Sequence, residues 1–419
     1  MTTVFDCCFS TPGEMMPLTE ARRILQENVK AVVGIEKLPL RQCTGKILAQ
    51  DVQADQNVPP HNNSAMDGFA VRFDDLNPNG ETKLPVIARI AAGHPLDRES
   101  VAGESFRIFT GATVPKGCDS VIMQENAVEK DGFVTFQAGA IPKKGTNFRH
   151  AGEDIKVGDI LLKKGRKLRA ADIGVSASIG YTHLSVYAPL KVAVFSTGDE
   201  IKDAGEPLGE GCIYDSNRYS VMSMLESLGC DVTDLGILPD NLDIITNALD
   251  KAADNHDMLF TSGGVSLGEE DHVKAAVSAL GRINFWRIAI KPGRPIAMGE
   301  VKGKSFIGLP GNPVATMVTF MTIARPLILG LSGRSDTSTR TYKIPAAFDY
   351  NHPGGRYEWQ RAFLKNTPYG PVVELFHTTG SGILTSMTLT DGLLEISDEK
   401  HLIEPGDLID FIPFSEVIQ

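Results

Sequence analysis

Cysteine is scarce in this chain, six in 419 residues, and none forms a CxxC pair or a ligand-spaced cluster with histidine. That spacing argues against a disulfide framework or a structural zinc site, and reduced thiols are expected. Long apolar runs are missing as well. The most hydrophobic helix-like stretch, residues 320–331, contains Arg325 and Pro326, which should break it and leave it too short to span a bilayer. Residues 1–10 hold no basic region and no sustained apolar segment, and Asp6 is wrong for an export signal. These features predict a cytoplasmic chain with no membrane partner. Positive charge is the minority: 41 Lys and Arg face 52 Asp and Glu, for a net charge of -11. That balance disfavours nonspecific binding to nucleic acid or anionic lipid, so an anionic ligand must be met by a local basic patch. The GxGxxG and Walker A patterns are absent, which leaves a dinucleotide-binding or P-loop assignment without support.

What is present is an ordinary globular composition, 42% hydrophobic and 22% charged, punctuated by 41 Gly and 24 Pro. At roughly 100 to 200 residues per domain the chain holds two to four domains. Residues 16–30 read as a helix with Leu18, Ala21, Ile24 and Leu25 on one face, followed by strand-like residues. Residues 59–146 alternate short β-rich runs with Gly and Pro turns and read as an inserted all-β module. Residues 1–58 and 147–188 form a discontinuous mixed domain around it. From 189 to 333 apolar strands alternate with amphipathic helices, the pattern of a parallel sheet covered on both faces. Residues 334–419 return to strand-length runs. The whole predicts a multidomain α/β plus β protein.

In an open parallel sheet the loops after the strands converge on a crevice, so those loops are the place to look for chemistry. Ser196, Thr197, Gly198, Asp199 and Glu200 follow one apolar run; Ser262, Gly263, Gly264 and Ser266 follow another. Pro310, Gly311, Asn312 and Pro313 follow a third. Each alone reads equally as a tight turn or a helix start. Three small-residue loops at one end of one sheet favour a ligand cleft whose backbone N–H groups face an anion such as phosphate. Carboxylates gather nearby: Asp199, Glu200, Asp215, Asp240, Glu269, Glu270 and Asp271. An acid-rich, thiolate-free set beside a phosphate suits Mg²⁺, although Asp215 reads equally as a helix N-cap. The local positive charge is Arg287, Lys291 and Arg294, the last two in a Lys-Pro-Gly-Arg-Pro turn that includes Pro295. Residues 63–69, around Asp67, show neither strand nor helix pattern and read as a turn.

Eight motifs then converge in order: NSAMDGFA at 63–70, FTGA at 109–112, GEDI at 152–155, STGDE at 196–200, YDSNR at 214–218, TSGGVSLG at 261–268, KPGRP at 291–295 and LPGNP at 309–313. Together they resemble the molybdopterin molybdenumtransferase family, which includes the bacterial MoeA proteins and the E domain of gephyrin. The resemblance covers nearly the whole chain. It implies a three-layer molybdopterin-binding domain, a C-terminal β-barrel-like domain, and insertion of molybdenum from molybdate into adenylyl-molybdopterin with release of AMP. The family's functional acids correspond to Asp67, Asp154, Glu200, Asp240 and Asp271, with Glu200, Asp240 and Asp271 as candidate Mg²⁺ ligands. Substrate-binding positions correspond to Thr110, Asp215 and Asn217 and to the three loops above. Molybdate-binding positions correspond to Arg287, Lys291, Arg294, Pro295, Arg361 and Ser381. The resemblance further implies a homodimer in which Asp67 and Thr110 reach the partner's cleft, an upstream molybdopterin adenylyltransferase, and downstream molybdoenzymes. Arg287 and Arg294 stand where relatives often carry Lys, and Phe69 where they carry Tyr. A gephyrin-like scaffold, an inactive paralogue and an adenylyltransferase are the competing expectations.

Overall fold

The computed structural model describes residues 15–141, 143–264, 272–293 and 296–418. The chain between 191 and 331 builds a three-layer unit around six strands: β1 (Lys191–Thr197), β2 (Asp231–Leu238), β3 (Met258–Ser262), β4 (Gly281–Trp286), β5 (Ile296–Val301) and β6 (Lys304–Leu309). Their spatial order is β2-β1-β3-β6-β5-β4. The sheet is mixed, which corrects the all-parallel expectation: β2, β1, β3 and β6 run parallel, but β5 runs antiparallel to both neighbours. The cause is local. Lys302 and Gly303, with φ of 50° and 76°, make a two-residue hairpin turn between β5 and β6, too short for the crossover that parallel strands require.

Strand periodicity divides the core in two. Val192 and Val194 of β1 face the helices α1 (Ser216–Ser227) and α4 (Pro313–Leu331), while Ala193 and Phe195 face α2 (Leu242–Asn255) and α3 (His272–Leu280). In α2 the buried residues Ile245, Leu249, Ala252 and Ala253 lie on one face, and Asn241 caps the helix by accepting from the amides of Asp243 and Ile244. Helix α4 corrects the expectation of a break. It runs unbroken for 19 residues through Arg325 and Pro326. Pro326 has no N–H to donate, and the turn before it, Phe320–Ala324, widens to π-helical spacing. Its length and apolarity match a membrane span, yet 89% of it is buried inside the fold, so it serves as a core helix.

The amino-terminal helix Leu18–Asn28 packs into this same core through Leu18, Ala21, Ile24 and Leu25. Beyond it, Ile35–Pro39 pairs with His183–Tyr187, and Val52–Gln53 pairs with Ile160–Leu162, so the segments on either side of the β module share one hydrophobic cluster. The module itself is a six-stranded sheet. One of its strands, Gly68–Val71, begins inside the segment 63–69 that reads as a turn. It is buried on both faces, and a Cβ on Gly68 would lie 1.9 Å from the Ile122 carbonyl oxygen, which is why glycine stands there.

The last sheet is built on Tyr357–Thr367, flanked by Gly370–Leu375 and Gly392–Ile396. It curls so that Ala346, beyond the far-edge strand Tyr342–Pro345, bridges back to Val373. One further strand, Ile290–Lys291, comes from the connection between β4 and β5 and pairs in parallel with Tyr357–Glu358. That pairing ties the KPGRP turn to the carboxyl-terminal sheet.

Candidate active site

At the carboxyl edge of the α/β sheet, Ser196 of β1 lies opposite Ser262 of β3, and Ser262 lies opposite Leu309 of β6. Ser196, Thr261 and Ser262 are buried, and their hydroxyls have no hydrogen-bond partner among the described residues. Leaving a buried hydroxyl unpaired costs about 1–3 kcal/mol, so a cluster of three marks a place where a polar ligand supplies what the fold withholds. Gly263 and Gly264 follow with φ of 90° and 62°, and the Gly263 amide donates to the Leu309 carbonyl at 3.1 Å. A Cβ on Gly264 would fall 2.4 Å from Thr197 Oγ1, so the loop can approach β1 only as glycine. Across the crevice Asn217 Nδ2 donates to the Gly311 carbonyl at 2.6 Å and Thr316 Oγ1 to the Pro310 carbonyl at 2.6 Å. The first bond holds the Pro310–Gly311–Asn312 loop against α1, and the second ties it to the start of α4. Pro313 opens α4, and the Asn312 side chain makes no cap bond.

The acids fall into four places. Glu200 and Asp240 are exposed on the loops after β1 and β2, neighbouring strands whose pairing shifts register between Val194 and Ser196 and ends at Thr197 and Leu238. Asp215, by contrast, is buried: it caps α1 by accepting from the Arg218 amide at 3.0 Å and pairs with the Arg218 guanidinium at 3.1 Å. Its carboxylate is spent on the fold. Asp67 and Thr110 meet in the β module, where Asp67 Oδ1 accepts from the Thr110 amide at 2.8 Å and hydroxyl at 2.9 Å. Those bonds, the amide first, hold the exposed Asp67 carboxyl below its usual range. Asp154 is exposed beside Pro59, its amide donating to the Val58 carbonyl. No group of three His, Cys, Asp or Glu among the described residues converges as a metal-ligand set. Ser266, Asp271, Arg294 and Pro295 lie outside the described residues.

A second concavity of about 200 Å³ opens where the α/β unit meets the carboxyl-terminal sheet. Lys291, Arg361 and Ser381 line it together with Pro310 and Asn312 of the strand-end loop. The cleft and this cavity thus share a wall. Arg361 is 1% exposed; its Nε donates to Ser386 Oγ at 3.1 Å and its Nη2 to the Thr378 and Gly380 carbonyls at 2.9 and 3.2 Å. The Ser381 carbonyl accepts from the Val314 amide at 3.0 Å, docking the loop on the start of α4. Arg287 is exposed and does not line the cavity. Sequence reasoning missed Glu358 and Gln360, which do. They belong to no motif, and only the pairing of Lys291 with Glu358 brings them here.

Residues 16–180 match the "MoeA N-terminal region (domain I and II)", residues 193–330 the "Probable molybdopterin binding domain" and residues 343–414 the "MoeA C-terminal region (domain IV)". A curated Haemophilus influenzae protein named molybdopterin molybdenumtransferase is 38% identical over 96% of this chain and 100% of that protein. The chain belongs to the MoeA family. A Nostoc molybdopterin molybdenumtransferase is 33% identical over 88% of this chain and 87% of its own. The crystal structure titled molybdopterin biosynthesis moeA protein from Pyrococcus horikoshii superposes with a TM-score of 0.81 at 26% identity, over 96% of this chain and 100% of that one. The MoeA fold therefore extends over both concavities.

Within that fold Gly293 sits at the mouth of the cavity with φ of 108°, and a Cβ there would lie 2.3 Å from Thr319 Oγ1. Gly293→Ala is expected to destabilise the protein by about 1–3 kcal/mol through backbone strain and this clash. Urea unfolding checks it, and an unchanged midpoint would mean the turn relaxes freely.

Proposed function

We propose that this chain is a cytoplasmic molybdopterin molybdenumtransferase: it binds adenylyl-molybdopterin and molybdate, inserts molybdenum into the dithiolene, and hydrolyses the adenylate to AMP. The observation that carries the reading is the trio of buried hydroxyls, Ser196, Thr261 and Ser262, that find no partner among the described residues, beside Gly263 and Gly264. Such a site supplies donors to a phosphate-bearing pterin without adding charge. Ser266, Gly198 and Asn312 extend the same lining in this reading. Lys291, Arg361 and Ser381, with Arg294 and Pro295, receive the oxyanion next door, so the two substrates meet at Pro310 and Asn312. Charge-assisted donors are what draw a dianion to an acidic chain.

Glu200 and Asp240 suit Mg²⁺, a hard cation that takes one or two carboxylates and fills its remaining sites with substrate oxygens and water. Asp271 completes the proposed set. The ion, when bound, neutralises charge on the phosphoanhydride as it is cleaved. Glu200 and Asp240 would hold the ion and orient the attacking water. Asp67, kept ionised by Thr110, and Asp154 act in this reading from a partner subunit's β module on a shared cleft. An adenylyltransferase upstream and apo-molybdoenzymes downstream complete the sequence of reactions.

The test is anaerobic incubation of the protein with adenylyl-molybdopterin, Mg²⁺ and molybdate, following AMP release and reconstitution of a cofactor-free molybdoenzyme. Both signals are expected, and both should depend on molybdate. Pterin binding without either product would refute the transferase and favour a scaffold or inactive paralogue.

A further inference from the structure

Behind Lys291 lies a buried acid that the reading above does not use. Glu358 is 1% exposed, and its Oε1 is 2.7 Å from Lys291 Nζ. The same oxygen accepts from the Tyr350 hydroxyl at 3.0 Å and from Gln360 Nε2. Its other oxygen, Oε2, has no hydrogen-bond partner among the described residues, yet it faces His352 Nε2 at 3.4 Å. His352 is itself 5% exposed, with Nδ1 2.8 Å from the Lys400 carbonyl. A carbonyl only accepts, so Nδ1 carries a hydrogen. A neutral imidazole would then turn a bare lone pair toward a bare carboxylate oxygen, two buried acceptors in opposition. One additional proton removes the conflict.

We propose that His352 and Glu358 together hold one proton, and that this pair sets the charge of the cavity to match a dianion, with Glu358 as the positioning residue for the Lys291 ammonium. The inference rests on reading the cavity as the oxyanion site. Lys291 and Arg361 bring two positive charges, an ionised Glu358 cancels one, and the proton on the pair restores it. A doubly charged tetrahedral oxyanion is then neutralised in a space where uncompensated charge is expensive. Among the described residues, the groups facing Glu358 are Lys291 from the strand Ile290–Lys291, Tyr350 and His352 from the segment before it, and Gln360 and Arg361 from its own strand. The groups facing His352 are Glu358 and the backbone carbonyls of Lys400 and His401. Burial and the Glu358 charge push the Tyr350 hydroxyl up to about 12, so it remains a donor throughout.

Because binding needs the proton, molybdate affinity is full at low pH and falls by about tenfold per pH unit once the free protein has lost the proton. The test is calorimetric titration of sodium molybdate into the intact protein across a pH series, in buffers of differing ionisation heat. Wild type should take up close to one proton per molybdate at the alkaline end. Glu358→Gln, which is neutral at every pH, should bind with no such slope; His352→Gln should bind weakly throughout. A fall caused by Lys291 itself would persist in Glu358→Gln and overturn the proposal, as would zero proton uptake by wild type at every pH. Circular dichroism checks the folding of each variant, and if Glu358→Gln does not fold, the wild-type proton count decides alone. Lys291→Ala and Arg361→Ala separate the two levels. Wild-type affinity in both would bring down the oxyanion reading, whereas loss of binding there beside a wild-type slope in Glu358→Gln would bring down the proton pair only.

Discussion

Glu200→Ala is expected to slow AMP release by about 100- to 1000-fold, the scale of losing one preorganised electrostatic contact to a reacting group. Asp240→Ala should behave alike, because the two acids sit on loops after adjacent strands and serve one cation in the proposed mechanism. Both side chains are exposed, so neither substitution should move stability by more than about 0.5 kcal/mol. The measurement is single-turnover AMP release over a Mg²⁺ titration, beside urea unfolding. Wild-type turnover in Glu200→Ala would remove Glu200 from the site; an unfolded protein would make its role structural.

The largest stability loss is expected at Arg218. Its side chain is 1% exposed and meets three carboxylates: Asp203 at 2.7 Å, Asp215 at 3.1 Å and Asp234 at 2.5 Å. Arg218→Met should cost about 3–5 kcal/mol, because the buried Asp215 carboxylate loses its ion-pair partner. Function should suffer too. Asp203 lies just beyond Glu200, in the loop whose short strands Ile201–Lys202 and Ile213–Tyr214 pair with each other, so Arg218 anchors the segment that carries the acid. The Tyr219 hydroxyl, opposed by desolvation and aided by Arg218, holds the Asp203 carboxyl below its usual range. The stability it contributes is therefore present above the ordinary carboxylate pKa and is lost as pH falls through the depressed value. Urea unfolding at neutral and acidic pH checks both statements. A shift in Arg218→Met below about 1 kcal/mol, the scale of a surface pair, would mean solvent already screens the network.

The helices were legible wherever one face carried apolar residues at helical spacing. Ser216–Ser227, Leu242–Asn255 and His272–Leu280 begin and end within a few residues of the pattern. The antiparallel strand β5 was not legible, because a buried strand beside a Lys-Gly turn gives no sign of its direction. Gly68–Val71 was missed for a related reason: four consecutive buried residues show no alternation. The unbroken α4 was missed because a proline rule applies to regular helix, and a π-turn escapes it.

The sequence by itself determined the composition of the site: small hydroxyl and glycine residues after apolar strands, acids beside them, and one basic turn in an acidic chain. Those features are local, and strand-end geometry follows from hydrophobic periodicity. It also identified the family, through eight short motifs in order. Only the tertiary structure decided how the charges combine. Asp215 became a cap and an ion-pair partner, Arg287 remained at the surface, and Glu358 with His352 came to stand behind Lys291. Lys291 and Glu358 are far apart in the chain and meet because two residues between β4 and β5 add a strand to another domain's sheet. Long-range strand pairing leaves no periodic trace in either segment, and the charge of a buried cavity depends on every group that such pairing brings to it.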